Sequence, residues 1–389
     1  MSDFAQYQDL VYADATNGTL PRLPYDHERL RDLAEQVMEP GPFGYVEGGA
    51  GRERTACANV EAFSRYALRP RSLRPGAGDK GGLGVTLFGE SYPTPLLTAP
   101  VGVLEQVHDR AELALAEGVN TVGVPMVLST ASSTPIEEVA EAVDSWWYQL
   151  YWPGDDELAE SFVRRATAAG AKAIVVTTDT KRLGWRPRDL AQGHLPFLRS
   201  QGTAVYFSDP VFRSRLKTAP EPGGVFTEAV FHFLGSFADK GLSTDNIARI
   251  RAWTDLPILV KGVLRADEAV ELAEVGVDGV VVSNHGGRQI DNSVAALDAL
   301  PEVVEAVGER MTVLFDSGVR SGADVAVAMA LGARAVLLGR PWVYGLAVDG
   351  AAGVEHVLRS FLAELQITAE LLGRDIADLD GTDVARRRG

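Results

Sequence analysis

The chain has 389 residues, 46% of them hydrophobic, with 40 glycines and 20 prolines, so it can bury a large core and must turn often between regular elements. Its formal net charge of −16 repels nucleic-acid phosphate and anionic lipid, which excludes both as bulk partners. One cysteine, Cys57, excludes an intramolecular disulfide and a thiolate metal cluster, and no metal site is expected.

Residues 1–94 read as a helical and irregular preface containing the glycine-rich GYVEGGAG at 44–51. The initial MSDFAQYQDLVYAD carries acids where a signal peptide carries basic and then apolar residues, and no apolar run reaches bilayer-spanning length. A cytoplasmic location without a membrane partner is the expectation.

From about residue 95, short β-branched runs alternate with helix-length amphipathic segments, the pattern of strand-helix crossovers in a parallel sheet. Strands are predicted at PLLTAPV (95–101), TVGVPMVLS (121–129), SWWYQLY (145–151), AKAIVVTT (171–178), LPILVKG (256–262), VDGVVVS (277–283), MTVLFD (311–316) and ARAVLLG (333–339). Helices are predicted at 109–118, 135–143, 155–169, 245–253, 266–275, 293–307, 320–331 and 353–372. Thr134-Pro135 before Glu137 and Glu138, and Ser243 and Thr244 before Asp245, read as helix starts with caps and acids in place. Eight strands, each followed by a helix, predict an α/β fold of the closed (β/α)8 TIM-barrel type, with 1–389 as one domain. The connection 183–240 after the fourth strand is too long for a simple loop and holds the apolar clusters LPFL (195–198), AVYF (204–207) and VFHFLGSF (230–237). Placed at the carboxyl face of the barrel, it reads as a lid insertion.

Polar residues at the carboxyl ends of barrel strands face one pocket. Here they are Gln149 and Tyr151, Thr177 and Asp179, Lys261, then Ser283, Asn284, His285 and Arg288, then Asp316, and finally Gly339 and Arg340. The turns DSGVR (316–320) and GRP (339–341) follow the last two strands, where barrels of this kind hold phosphate, and Arg320 or Arg340 adds charge. Lys261 ends an apolar strand, so its ammonium either snorkels to solvent or meets a negative or electron-rich partner. His285 lies within SNHGGRQ (283–289), a tight turn with a guanidinium three residues on. A base beside a carboxylate-binding arginine is what oxidation of a 2-hydroxy acid requires. Arg186, in LGWRPRD (183–189), could supply a second guanidinium.

With SNHGGRQ, LPILVKG, DTKRLGWR and DSGVRSGADVAVAMALGARAVLLGRP in this order, residues 40–372 resemble the flavin mononucleotide (FMN)-dependent 2-hydroxy-acid oxidases and dehydrogenases, nearest in pattern to the lactate 2-monooxygenase subgroup. The resemblance implies FMN as cofactor, a small 2-hydroxy acid and molecular oxygen as substrates, and a homotetramer or homo-octamer. It implies His285 as base, Asp179 as the carboxylate orienting it, Arg288 and Arg186 as carboxylate clamps, and Tyr151 and Tyr45 as substrate-binding tyrosines. The segment YVEGGAG is one residue longer than the glycolate-type pattern. Lys261 would stand beside the flavin edge that gains negative charge on reduction. The flavin would rest on Pro100, Val101 and Gly102, with Ser129, Gln149, Thr177 and Ser283 at its ring or ribityl chain. The loop of Asp316, Ser317, Gly318 and Arg320, with Gly339 and Arg340, would receive its phosphate. Proton removal would accompany either hydride transfer or a carbanion. Gly102, where the oxidases carry alanine, and the long insertion imply retention of the keto acid, giving acetate, carbon dioxide and water from lactate. The alternatives are an oxidase releasing keto acid and hydrogen peroxide, a dehydrogenase serving a quinone or carrier, or a non-redox barrel binding a phosphorylated metabolite.

Overall fold

The computed structural model of the protein describes residues 3–71, 73, 82–237 and 240–387, so short parts of the preface and of the insertion lie outside the described residues. Eight parallel strands close into a barrel: β1 (Leu96–Thr98), β2 (Met126–Ser129), β3 (Trp146–Tyr151), β4 (Ile174–Thr177), β5 (Ile258–Val263), β6 (Gly279–Val282), β7 (Thr312–Phe315) and β8 (Val336–Leu338). Leu338 pairs with Thr98, and Thr98 with Met126, which closes the ring between the last strand and the first. Interior residues such as Leu97, Val175, Leu259 and Leu314 are fully buried, as expected for a sheet covered on both faces.

All eight predicted strands are present, each within or close to its expected bounds. The helix expected from 353 starts instead at Arg340 and runs Arg340–Leu372, interrupted at Asp349 and Gly350. Its first part, RPWVYGLAV, is buried nearly all round, so no amphipathic period announces it. Thr134 does not cap the helix Ile136–Ala142; its hydroxyl donates to Glu112 Oε2 at 3.0 Å. Ser243 does start the helix Thr244–Ile250, with its backbone N–H on Asn246 Oδ1 at 3.0 Å.

The preface supplies helices Gln6–Thr16, His27–Val37, Pro40–Glu47 and Arg54–Ser64 and the ribbon Val85–Leu87 with Glu90–Tyr92. That ribbon brings Phe88 and Tyr92 against Trp147, plugging the amino-terminal end of the barrel. The insertion builds a small aromatic core of its own. Tyr206, Phe212 and Phe233 are fully buried, and Tyr206 packs edge-on against Phe162 of the barrel helix Asp156–Ala168 at 4.8 Å between ring centroids. Phe197 and Phe237 extend this cluster to the barrel mouth. Among the described residues, no helix is long and apolar enough to cross a membrane.

Candidate active site

A cavity lies at the carboxyl end of the barrel, lined by polar and apolar groups from the strand ends, the preface and the insertion. Its wall takes Pro100, Val101 and Gly102 from the loop after β1, Ser129 and Ala131 after β2, Tyr151 from β3, and Lys261 from β5. His285, Gly286 and Arg288 come from the loop after β6, Asp316 to Arg320 from the loop after β7, and Gly339 and Arg340 from the end of β8. The preface contributes Tyr45 and Val46, and the insertion contributes Leu183, Arg186, Phe197 and Phe237.

His285 Nδ1 lies 2.8 Å from Asp179 Oδ1, and that oxygen also accepts from Thr180 Oγ1 at 2.9 Å. This fixes which ring nitrogen faces the carboxylate and leaves the other for chemistry. Burial lowers the imidazole pKa below its ordinary value, with Asp179 working against that and Lys261 and Arg186 adding to it. Burial by itself would raise the Asp179 carboxyl, but His285, Lys261 and Thr180 more than reverse it, to about 2. Asp179 therefore stays ionised beside a neutral imidazole at neutral pH.

Lys261 does not snorkel. Its Nζ donates to Ser283 Oγ at 2.9 Å and pairs with Asp316 Oδ2 at 3.0 Å. Burial opposes its charge, yet Asp316 and Asp179 raise its pKa above the ordinary value. Asp316 lines the cavity and is also the counter-ion of Lys261. Gln149 is fully buried and satisfied: its Oε1 accepts from Ser129 Oγ at 3.1 Å and its Nε2 donates to Thr177 Oγ1 at 3.0 Å. Gln149, Thr177 and Ser283 are buried at the strand ends, and Gln149 bonds to Ser129 and Ser283 to Lys261, both of which line the cavity.

Arg288, Arg320 and Arg340 are recessed in the cavity wall, and none forms an ion pair among the described residues. Arg288 donates to Gly48 O at 2.6 Å and lies over the Tyr45 ring at 5.1 Å. Arg340 donates to the carbonyls of Val46, Gly286 and Gly48. Among the described residues, the Arg320 guanidinium donates only to its neighbour's carbonyl, Val319 O, at 2.9 Å, while its backbone N–H donates to Asp324 Oδ2. Burial, then Arg186 and Arg340, push the Arg288 guanidinium down to about 9, and burial and Arg340 lower Arg320. Buried cations near one another without an ion-pair partner favour an anionic ligand. Arg186 is buried and latches the loop after β6, with Nε on Arg288 O at 3.2 Å and Nη2 on Gln289 Oε1 at 2.8 Å. Tyr151 keeps its proton, since burial and Asp179 raise its pKa.

The sequence reading missed Thr180, and it missed Gln289, whose Nε2 donates to Asp179 O at 3.0 Å. It also missed Phe197, Phe237 and Asn59. Gln289 closes the SNHGGRQ motif, Thr180 follows Asp179 within DTKRLGWR, and Phe197 and Phe237 lie in the apolar clusters LPFL and VFHFLGSF; Asn59, in the preface helix, carried no local signal.

These features fit flavin mononucleotide: Lys261 would stand by its ring, Arg320 and Arg340 would receive its phosphate, and Arg288 is left for a substrate carboxylate. Asp179 Oδ2 is buried and without a hydrogen-bond partner among the described residues. The family model described as FMN-dependent dehydrogenase matches residues 34–386. The chain is 42% identical over 393 residues to an FMN-dependent alpha-hydroxy acid dehydrogenase of Penicillium citrinum, covering 99% of this chain and 96% of the relative. It is 41% identical over 347 residues to an L-lactate oxidase of Lysinibacillus sphaericus, covering 88% of each. A crystal structure of mandelate oxidase superposes with a TM-score of 0.81 at 33% identity, covering 94% of this chain and 99% of that one. The chain belongs to the FMN-dependent dehydrogenase family, an enzyme of the 2-hydroxy-acid oxidoreductase type whose cofactor is FMN.

Proposed function

We propose that the protein oxidises a small L-2-hydroxy acid, lactate or a near homologue, with His285 as the base. The observation that carries this reading is the His285–Asp179 pair, held 2.8 Å apart, with His285 lining the same cavity as the unpaired Arg288. Arg288 and Arg186 would hold the substrate carboxylate, and Tyr45 and Tyr151 would hold its oxygens. His285 accepts a proton from the substrate, and ionised Asp179 stabilises the imidazolium that forms. Lys261, with its proton secured by Asp316, supplies positive charge at the cavity floor, and the loops after β7 and β8 take the cofactor phosphate. When bound, FMN accepts the two electrons of the oxidation and passes them to oxygen. Residues 183–240 act in this reading as a lid on the single domain 1–389.

Substrate size follows from the wall around Ala131. This small side chain leaves room that Phe197 and Phe237 of the insertion line with apolar surface, while Trp185 is 72% exposed and takes no part. A methyl or longer aliphatic group fits there better than the hydrogen of glycolate.

For the product we favour a lactate 2-monooxygenase outcome, supported by the insertion's aromatic cluster at the mouth, which would retain the keto acid. Hydrogen peroxide formed beside trapped pyruvate converts it to acetate, carbon dioxide and water. The second reading is an oxidase that releases pyruvate and peroxide, and it is favoured by the likeness to an L-lactate oxidase. The test is to supply L-lactate and, separately, glycolate in air and to quantify acetate, pyruvate, glyoxylate and peroxide. Acetate from lactate supports retention. Stoichiometric pyruvate with peroxide selects the oxidase, and a preference for glycolate contradicts the size argument.

A further inference from the structure

His285, Gly286 and Gly287 lie in succession in the left-handed backbone region, with φ of 58°, 63° and 76°. Positive φ is uncommon for a residue with a Cβ, so the contacts that hold this turn bear on where His285 points. Ser283 Oγ accepts from His285 N at 3.1 Å, Ser317 Oγ accepts from Gly286 N at 3.0 Å and Arg340 donates to Gly286 O at 3.0 Å, and the preface helix Arg54–Ser64 adds a buried support of its own. Asn59 Nδ2 donates to Asn284 Oδ1 at 2.7 Å, and Asn284 Nδ2 donates back to Asn59 Oδ1 at 2.7 Å. The same Asn284 oxygen accepts from Gly287 N at 3.1 Å, closing the left-handed turn. Asn59 Oδ1 also receives Ala296 N at 3.1 Å, and Asn284 Nδ2 also reaches Val294 O at 3.0 Å. The reciprocal amide pair is buried, with Asn59 only 1% exposed, so losing one member leaves the other's polar groups unsatisfied.

The backbone of the same helix meets two loops of the site. A Cβ at Gly287 would lie 2.4 Å from Ala56 N, and one at Gly318 would lie 2.4 Å from Asn59 O. Asn59 therefore touches the loop after β7 through its main chain and the His285 turn through its side chain. Substituting the side chain disturbs the turn and leaves the main-chain contact with Gly318 in place.

We propose that Asn59 is a positioning residue for the reaction: through Asn284 it holds the strained turn that aims His285 at the substrate while keeping its Nδ1 on Asp179. This rests on His285 being the base. Asn59→Ala is expected to keep a full complement of FMN and a lactate dissociation constant within about threefold of the parent, yet to slow anaerobic flavin reduction by about ten- to a hundredfold, the scale of a misplacement near 1 Å. The pH profile separates aiming from simple destabilisation. Asp179 raises the His285 pKa, so a turn that lets His285 drift from Asp179 moves the low-pH limb of the reduction rate to lower pH. Partial unfolding lowers the amplitude and leaves the limb where it was. If Asn59→Ala yields no soluble flavoprotein, Asn59→Asp decides, because it keeps the acceptor for Ala296 N and removes the donor to Asn284. It is expected to show a several-fold slower reduction with the same limb displacement. An unchanged rate, or a rate loss that only tracks FMN loss with an unmoved limb, overturns the proposal. His285→Gln is measured alongside. Near-normal reduction in that variant overturns the base assignment itself, whereas an inactive His285→Gln beside a normal Asn59 variant overturns only the role of Asn59.

Discussion

A Cβ placed on Gly102 would stand 2.6 Å from the Cβ of Ala131 and 2.8 Å from its carbonyl oxygen, so the loops after β1 and β2 touch with no space for a side chain. Packing alone thus accounts for a glycine at 102, whatever its part in product retention. Gly102→Ala must push Ala131 outward, and overpacking of this sort costs about 1–3 kcal/mol. The variant is expected to melt at a lower temperature and, because Ala131 lines the substrate cavity, to release a larger share of pyruvate and peroxide. Thermal unfolding together with product analysis checks this; an unchanged melting temperature and an unchanged product ratio contradict it.

Asp179→Asn removes the group that raises the His285 pKa and stabilises its protonated form. His285 must be neutral to accept a proton, so the rate falls as pH drops through its pKa, which burial already places below the ordinary histidine value. Without Asp179 that pKa falls further, and the low-pH limb of kcat/KM should move down in pH while the maximal rate drops by about a hundredfold or more. A pH profile of the FMN-loaded variant that superimposes on the parent sinks the assignment.

Lys261 and Asp316 are only 4% and 8% exposed at the side chain, so they must be changed together to separate stability from chemistry. Lys261→Met strands a buried carboxylate, and breaking such a pair from one side costs about 3–5 kcal/mol. The double variant Lys261→Met/Asp316→Asn should recover most of that stability but not the rate of flavin reduction. Denaturant unfolding and stopped-flow reduction read the two effects separately. If the double variant reduces flavin at the parental rate, the charge at 261 has no part in the reaction.

Arg288→Lys keeps the charge and loses the planar fork. It is expected to raise the KM for lactate by about tenfold or more with FMN retained, the scale of a lost charge-assisted hydrogen bond. Arg186→Met should act in the same direction and also lower stability, since Arg186 latches Arg288 O and Gln289. An unchanged KM in Arg288→Lys removes the clamp from the account.

The barrel was legible because fully buried parallel strands are written as short β-branched runs, and IVVT, GVVV and TVLF announce themselves. Bounds were less legible. The strand expected from Thr121 begins at Met126, since Gly123 turns with φ of 72° and Pro125 precedes the ladder. In the site, residues at strand ends could be read from position alone, which is why His285, Asp179, Lys261 and Arg288 meet as expected. Asn59 could not be found that way. Its partner Asn284 is 225 residues away, and an asparagine inside an ordinary amphipathic helix gives no sign of what it will face. The pairing of Lys261 with Asp316 was equally silent, because each stood at its own strand end and only the pairing of β5 and β7 on either side of β6 brings them to one floor.

The central claim is that His285 takes the substrate proton, and anaerobic mixing of FMN-loaded His285→Gln with L-lactate tests it most directly. The account predicts that the yellow flavin band persists, bleaching at least about a hundredfold more slowly than in the parent protein at equal FMN content. Bleaching at close to the parental rate would contradict it.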